Sequence, residues 1–165
     1  MRGRRGGLLV AGLLAAGLVV GGVAHAQNGE RSGGDFGLGV IVGDPTGLSG
    51  KYMLATEHAI DFAAGLGFLG GDHWHVHADY LWHMRVKKWP TTTLDVYLGA
   101  GPKLGIKDKK GTGAVLIGAR GPVGISIGFL EAPFDVFVEV AAGLWIVDKV
   151  DLDVDAALGG RYWFM

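Results

Sequence analysis

From residue 35 onward, apolar and polar residues alternate with a period of two almost to the end of the chain, the signature of strands with two unlike faces. Eight such segments can be traced, at 35–43, 47–55, 59–69, 73–87, 92–106, 113–130, 134–147 and 150–164. Turn residues separate them. Gly43-Asp44-Pro45-Thr46-Gly47, Gly70-Gly71-Asp72, Lys88-Trp89-Pro90, 107–113 and Glu131-Ala132-Pro133 each carry Gly or Pro, while Thr56-Glu57-His58 and Asp148-Lys149 are weaker breaks. No amphipathic helix is expected in this part. Pro122 lies inside the sixth segment and removes a ladder donor, so a bulge or a division into two strands is expected there.

The two faces differ in kind. In the fourth segment Trp74, Val76, Ala78, Tyr80, Trp82 and Met84 share one face, and His73, His75, His77, Asp79, His83 and Arg85 share the other. The fifth sets Leu94, Val96 and Leu98 against Asp95, Tyr97 and Lys103, and the seventh sets Val136, Val138 and Val140 against Asp135, Phe137 and Glu139. Across all eight segments every Asp, Glu, Lys, Arg and His takes the face opposite the apolar stripe. That polar face is also rich in glycine, including Gly37, Gly65, Gly99, Gly105, Gly124 and Gly143. A soluble sheet would carry more Thr, Lys and Glu there, whereas glycine suits the crowded interior of a narrow barrel. An outer-membrane barrel therefore fits better than a sandwich or a lipocalin-like barrel, since a charge on a lipid face costs about 2–4 kcal/mol at the midplane. On the apolar parity, Phe36, Phe62, Trp82, Phe129, Phe134, Tyr162 and Phe164 are expected near one rim, and Phe68 and Trp74 near the other, like interfacial girdles.

The start of the chain reads as an address. Arg2, Arg4 and Arg5 precede an uncharged stretch from Leu8 to Val23, and Ala24-His25-Ala26 has the small-x-small form of a cleavage site. A secretory signal peptide over 1–26 is expected, then a flexible leader over 27–34 and a barrel over 35–165. Cleavage after Ala26 would move the net charge from -1 to -4 by removing three arginines. That balance argues against nucleic-acid binding, and the lack of cysteine excludes disulfides and thiolate metal sites.

The mature chain resembles the small eight-stranded outer-membrane barrels of the outer-membrane protein A transmembrane-domain type, and more narrowly a domain-of-unknown-function family of short bacterial barrels. The resemblance rests on the runs from Gly39 to Lys51, His75 to His83, Gly118 to Gly124 and Ala132 to Glu139. It implies an eight-stranded antiparallel transmembrane β-barrel in a Gram-negative outer membrane, with no established activity. Met165 departs from the aromatic end common in such barrels, while Tyr162 and Phe164 fit the final-strand pattern.

Candidate chemistry lies on the inward face. His75, His77, Asp79 and His83, with His73 beside them, form the sharpest group: imidazoles and a carboxylate can bind zinc or copper, or respond to pH near neutrality. The plainer reading is a polar network that fills space. Lys51, Asp61, Arg85, Asp95, Lys103, Arg120, Asp135, Glu139, Asp153, Asp155 and Arg161 are expected to form an ion-pair network plugging the lumen. Eight strands leave room for side chains and little else, so an open pore is not favoured. Ser32, Ser49 and Ser126 show no histidine at a spacing that argues for a triad, so no enzyme is expected and no cofactor is implied. Lys107, Lys109 and Lys110 form a basic tip able to meet lipopolysaccharide phosphates, though a solvated turn explains them as well. The expected role is a structural or membrane-integrity monomer, in contact with outer-membrane lipid and lipopolysaccharide and inserted by the barrel assembly machinery. The alternative is a narrow channel or a barrel binding a small ligand or metal.

Overall fold

A computed structural model describes residues 32–67, 73–109, 112–146 and 150–164. The expected signal peptide, most of the leader, Phe68, the Gly70-Gly71-Asp72 turn, Lys110, Asp148-Lys149 and Met165 lie outside the described residues. Eight strands follow one another: β1 (Phe36–Gly43), β2 (Thr46–Ala55), β3 (His58–Gly67), β4 (His73–Lys88), β5 (Thr92–Lys109), β6 (Thr112–Phe129), β7 (Phe134–Trp145) and β8 (Asp151–Phe164). Each pairs antiparallel with its sequence neighbour, and β1 pairs with β8, closing the barrel. Closure removes the free edges that an open sheet would present.

The alternation read from the sequence is the alternation of the barrel wall. Along β4 the odd positions from His73 to His83 are buried and the even ones from Trp74 to Met84 are exposed. The interior thus holds the charges and the outside holds the apolar stripe, the reverse of a water-soluble core. Exposed charged residues (Glu57, Lys87, Lys88, Glu131 and Asp151) sit in turns or at strand ends.

The start of β1 and the end of β8 lie at one rim, the terminal rim, with the turns at 56–57, 89–91 and 130–133; the turn at Asp44-Pro45 lies at the opposite, far rim. Seven of the expected girdle aromatics are exposed around the terminal rim. Phe62, Phe36 and Phe164 stack in series at 6.3 and 6.0 Å, Tyr162 meets Phe164 at 5.2 Å, and Phe129 meets Phe134 at 6.2 Å.

Pro122 produces neither a bulge nor a break, so the sixth segment is one strand. Its register to β5 is the same on both sides, with Leu98 opposite Val123 and Gly101 opposite Arg120. The β5–β6 ladder skips the positions beside Pro122, while the ladder to β7 runs through it, with Pro122 opposite Ala141. The missing donor is thus absorbed at one local gap, and the even strand count survives.

The inward face is not wholly polar. Met53, Ala59, Leu81, Tyr97 and Trp163 form one buried apolar cluster, and Ile41, Ala63 and Phe137 form another. A methyl group at Gly124 would run into the Tyr97 ring, which explains why glycine stands on that wall. Trp163 and Tyr97 fill volume that charges alone would leave empty.

Candidate functional site

Strand parity sends a side chain inward, and register sets its height in the lumen. Asp61 of β3 lies directly opposite Asp79 of β4, so two like charges meet across a strand pair. Such a pair is tolerated only with cations nearby. Arg161 of β8 supplies one, with Nη2 3.0 Å from Asp61 Oδ2, and Arg120 of β6 supplies the other, with Nε 3.2 Å from Asp79 Oδ2.

Arg120 is the hub of the central lumen. Its guanidinium also pairs with Glu139, lies 3.8 Å from Asp155 Oδ2, and donates through Nη1 to His77 Nδ1 at 2.8 Å. It therefore joins residues from β4, β7 and β8 to β6. The planar fork of arginine suits this, because five donors can meet several acceptors at once. Tyr97 donates its hydroxyl to Glu139 Oε2 at 3.0 Å, and Lys51 Nζ stands 4.5 Å from the Tyr97 ring centre. Lys51 also lies 3.7 Å from Asp61, and Arg161 donates to Ser49 Oγ at 3.0 Å while its guanidinium covers Phe137. Near the terminal rim Arg85 pairs with Asp95.

A second group forms toward the far rim. Lys103 Nζ lies 2.5 Å from Asp153 and 3.8 Å from Asp155, and 4.2 Å from the Trp145 ring centre. Trp145 donates Nε1–H to Asp153 Oδ2 at 2.9 Å and meets His73 and His75 edge-on. His75 Nδ1 is 3.7 Å from Asp44 Oδ1, and Nε2 is 3.4 Å from His77 Nδ1.

The structure divides the histidine group read from the sequence. His75 and His77 touch, and His77 Nε2 is 3.8 Å from Asp79. His83 does not join them; it packs on Tyr97 toward the terminal rim at 5.2 Å. Two sets of three potential metal-binding atoms result, each within 4.8 Å of one another: Asp44, His73 and His75, and His77, Asp79 and Glu139. The predicted ion-pair residues do converge, apart from Asp135, for which no direct pair emerges among the described contacts; it lies buried opposite Arg161 in the β7–β8 register. Lys107, Lys109 and Lys110 lie outside the described side chains.

Asp44 is the residue that strand parity misses. It belongs to the turn between β1 and β2, yet it is buried. Thr46 Oγ1 accepts from Gly43 N and donates to Gly43 O, both at 2.9 Å, and Asp44 N donates to Ala156 O of β8 at 2.9 Å. The turn is thereby held against the wall with its carboxylate inside. Period-two alternation carries no information within a turn, so the sequence offers no signal for this placement.

Among the described side chains, five cations (Lys51, Arg85, Lys103, Arg120 and Arg161) share the interior with eight acids (Asp44, Asp61, Asp79, Asp95, Asp135, Glu139, Asp153 and Asp155). With neutral imidazoles, the formal excess is three negative charges. Comparisons with protein families, curated proteins and solved structures each return no match.

Proposed function

We propose that this chain is an outer-membrane β-barrel with a plugged lumen, acting as a non-enzymatic monomer in membrane structure and integrity. One observation carries the reading: the barrel is inside out, with large apolar side chains exposed from β1 to β8 and ionised groups enclosed. Soluble monomers rarely expose apolar patches beyond about 300–600 Å². A lipid phase makes that surface favourable, and the closed ladder leaves no edge to satisfy within it. The aromatic ring at the terminal rim supports the same reading, because amphipathic rings favour the headgroup level. So does the resemblance to the small outer-membrane barrels, which implies insertion by the barrel assembly machinery and contact with lipopolysaccharide.

Within this reading the lumen serves as a plug. Arg120, Tyr97 and Arg161 reach across the lumen to residues of non-adjacent strands, which favours a stabilising interior over a conducting one. The test is to fractionate cells making the full chain and to run the outer-membrane material on gels with and without boiling. An outer-membrane band whose mobility changes on heating is expected. A soluble periplasmic band with unchanged mobility would overturn the proposal.

A further inference from the structure

The acids of the lumen fall into two regions. Around Arg120 the acids have a guanidinium among them. Toward the far rim Asp44 stands with Asp153 and Asp155; Lys103 meets the last two and leans to Trp145, and Arg120 also reaches Asp155. The imidazoles of His73 and His75 stand beside these acids, both buried.

The orientation of His75 sharpens the point. Arg120 Nη1 donates to the His77 ring, 2.8 Å from Nδ1 and 3.2 Å from Nε2. His75 Nε2 lies 3.4 Å from His77 Nδ1. His75 Nδ1 faces the Asp44 carboxylate at 3.7 Å, beyond hydrogen-bond distance, and this Nδ1 has no hydrogen-bond partner in a side chain that is fully buried. A metal ion between them would take the His75 nitrogen and the Asp44 carboxylate as ligands.

We infer that Asp44, His73 and His75 form a binding site for a divalent transition-metal ion at the far rim of the barrel. The dimensions fit. Tetrahedral zinc holds nitrogen and oxygen ligands at about 2.0–2.2 Å, which sets neighbouring ligand atoms about 3.4 Å apart; the His75–Asp44 separation is 3.7 Å, and all three candidate atoms lie within 4.8 Å of one another. Two imidazoles and one carboxylate suit zinc, copper or nickel over calcium or magnesium, which take oxygen donors. His77, 3.4 Å from His75 Nε2 and itself held by Arg120, stands where the outer partners of metal-bound histidines stand. Gly67 leaves the space: a methyl group there would fall 2.6 Å from Asp44 Oδ1 and 2.7 Å from His73 Nε2. The other group, His77, Asp79 and Glu139, already has the Arg120 guanidinium as its cation.

The site belongs to the barrel interior and does not depend on where the barrel resides, so it is tested on the full chain in detergent micelles, with folding read from the heat-dependent gel shift. Zinc chloride titrated by calorimetry should bind at one equivalent, and cobalt(II) should give the visible absorption of a four- or five-coordinate nitrogen–oxygen site. Asp44→Asn and His73→Gln should each weaken zinc by at least about tenfold, while His83→Gln should leave it within about twofold of the parent. The unmodified protein is a test by itself: folded barrel giving neither zinc heat nor the cobalt band overturns the site. So does a folded Asp44→Asn or His73→Gln variant that titrates like the parent.

Discussion

The centre of the lumen and its far rim are built from the same residue types and solve the same charge problem differently. At the centre the acids Asp79, Glu139 and Asp155 gather around Arg120, a cation that the chain itself supplies. At the far rim Asp44 stands with His73 and His75, and Lys103 is engaged with Asp153 and Trp145. A buried carboxylate needs a counter-charge in either place. With the proposed metal site, the interior would carry two kinds of cation site, one filled by a side chain and one taking an ion from outside.

Removing the built-in cation is the strongest way to test that contrast. Arg120→Ala leaves the acids and His77 around a vacated centre, and breaking a buried pair in this way costs about 3–5 kcal/mol. Urea unfolding in micelles should show the barrel weakened by that amount. The same variant should gain a second equivalent of bound zinc, because His77, Asp79 and Glu139 then lack their guanidinium. If the variant folds with full stability, Arg120 is not the hub, and the two regions do not differ as described.

A smaller effect should come from crowding the far region without removing a charge. A methyl group in Gly143→Ala would collide with Lys103 Nζ and Asp153 Oδ1, the pair that keeps this lysine aside. Overpacking of this kind costs about 1–3 kcal/mol. The expected result is a urea midpoint between those of the parent and Arg120→Ala. An unchanged midpoint would mean that the lysine pair moves freely, and that the far rim is softer than its contacts imply.

The wall of this barrel was legible in the sequence to within a few residues, while the partnerships inside it were not. Alternation located β1 through β8 because each strand has one apolar and one polar face, and period two reports that directly. It also placed Lys51, Arg120, Glu139 and Arg161 inside. It could not say that Arg120 meets residues of β4, β7 and β8, since that depends on relative heights set by register around a closed circuit. The histidines of β4 looked like one group because they share a strand face; six residues of separation in fact carry His83 away from His77 to Tyr97. Trp145, Trp163 and Leu81 point inward against the charged character of that face, so a pattern built on polarity overlooks them.

The smallest effect should come from the ion pair nearest water. Arg85 and Asp95 pair near the terminal rim, where the arginine side chain is 25 % exposed, against 1 % for Arg120. The arginine side of this pair is open to water, and pairs screened by solvent contribute about 0–1 kcal/mol. Arg85→Ala should therefore shift the urea midpoint little and leave zinc binding as in the parent. A loss as large as that of Arg120→Ala would show that depth in the lumen does not govern the worth of an ion pair. The distinction between a centre that must carry its own cation and a rim that can borrow one would then lose its physical basis.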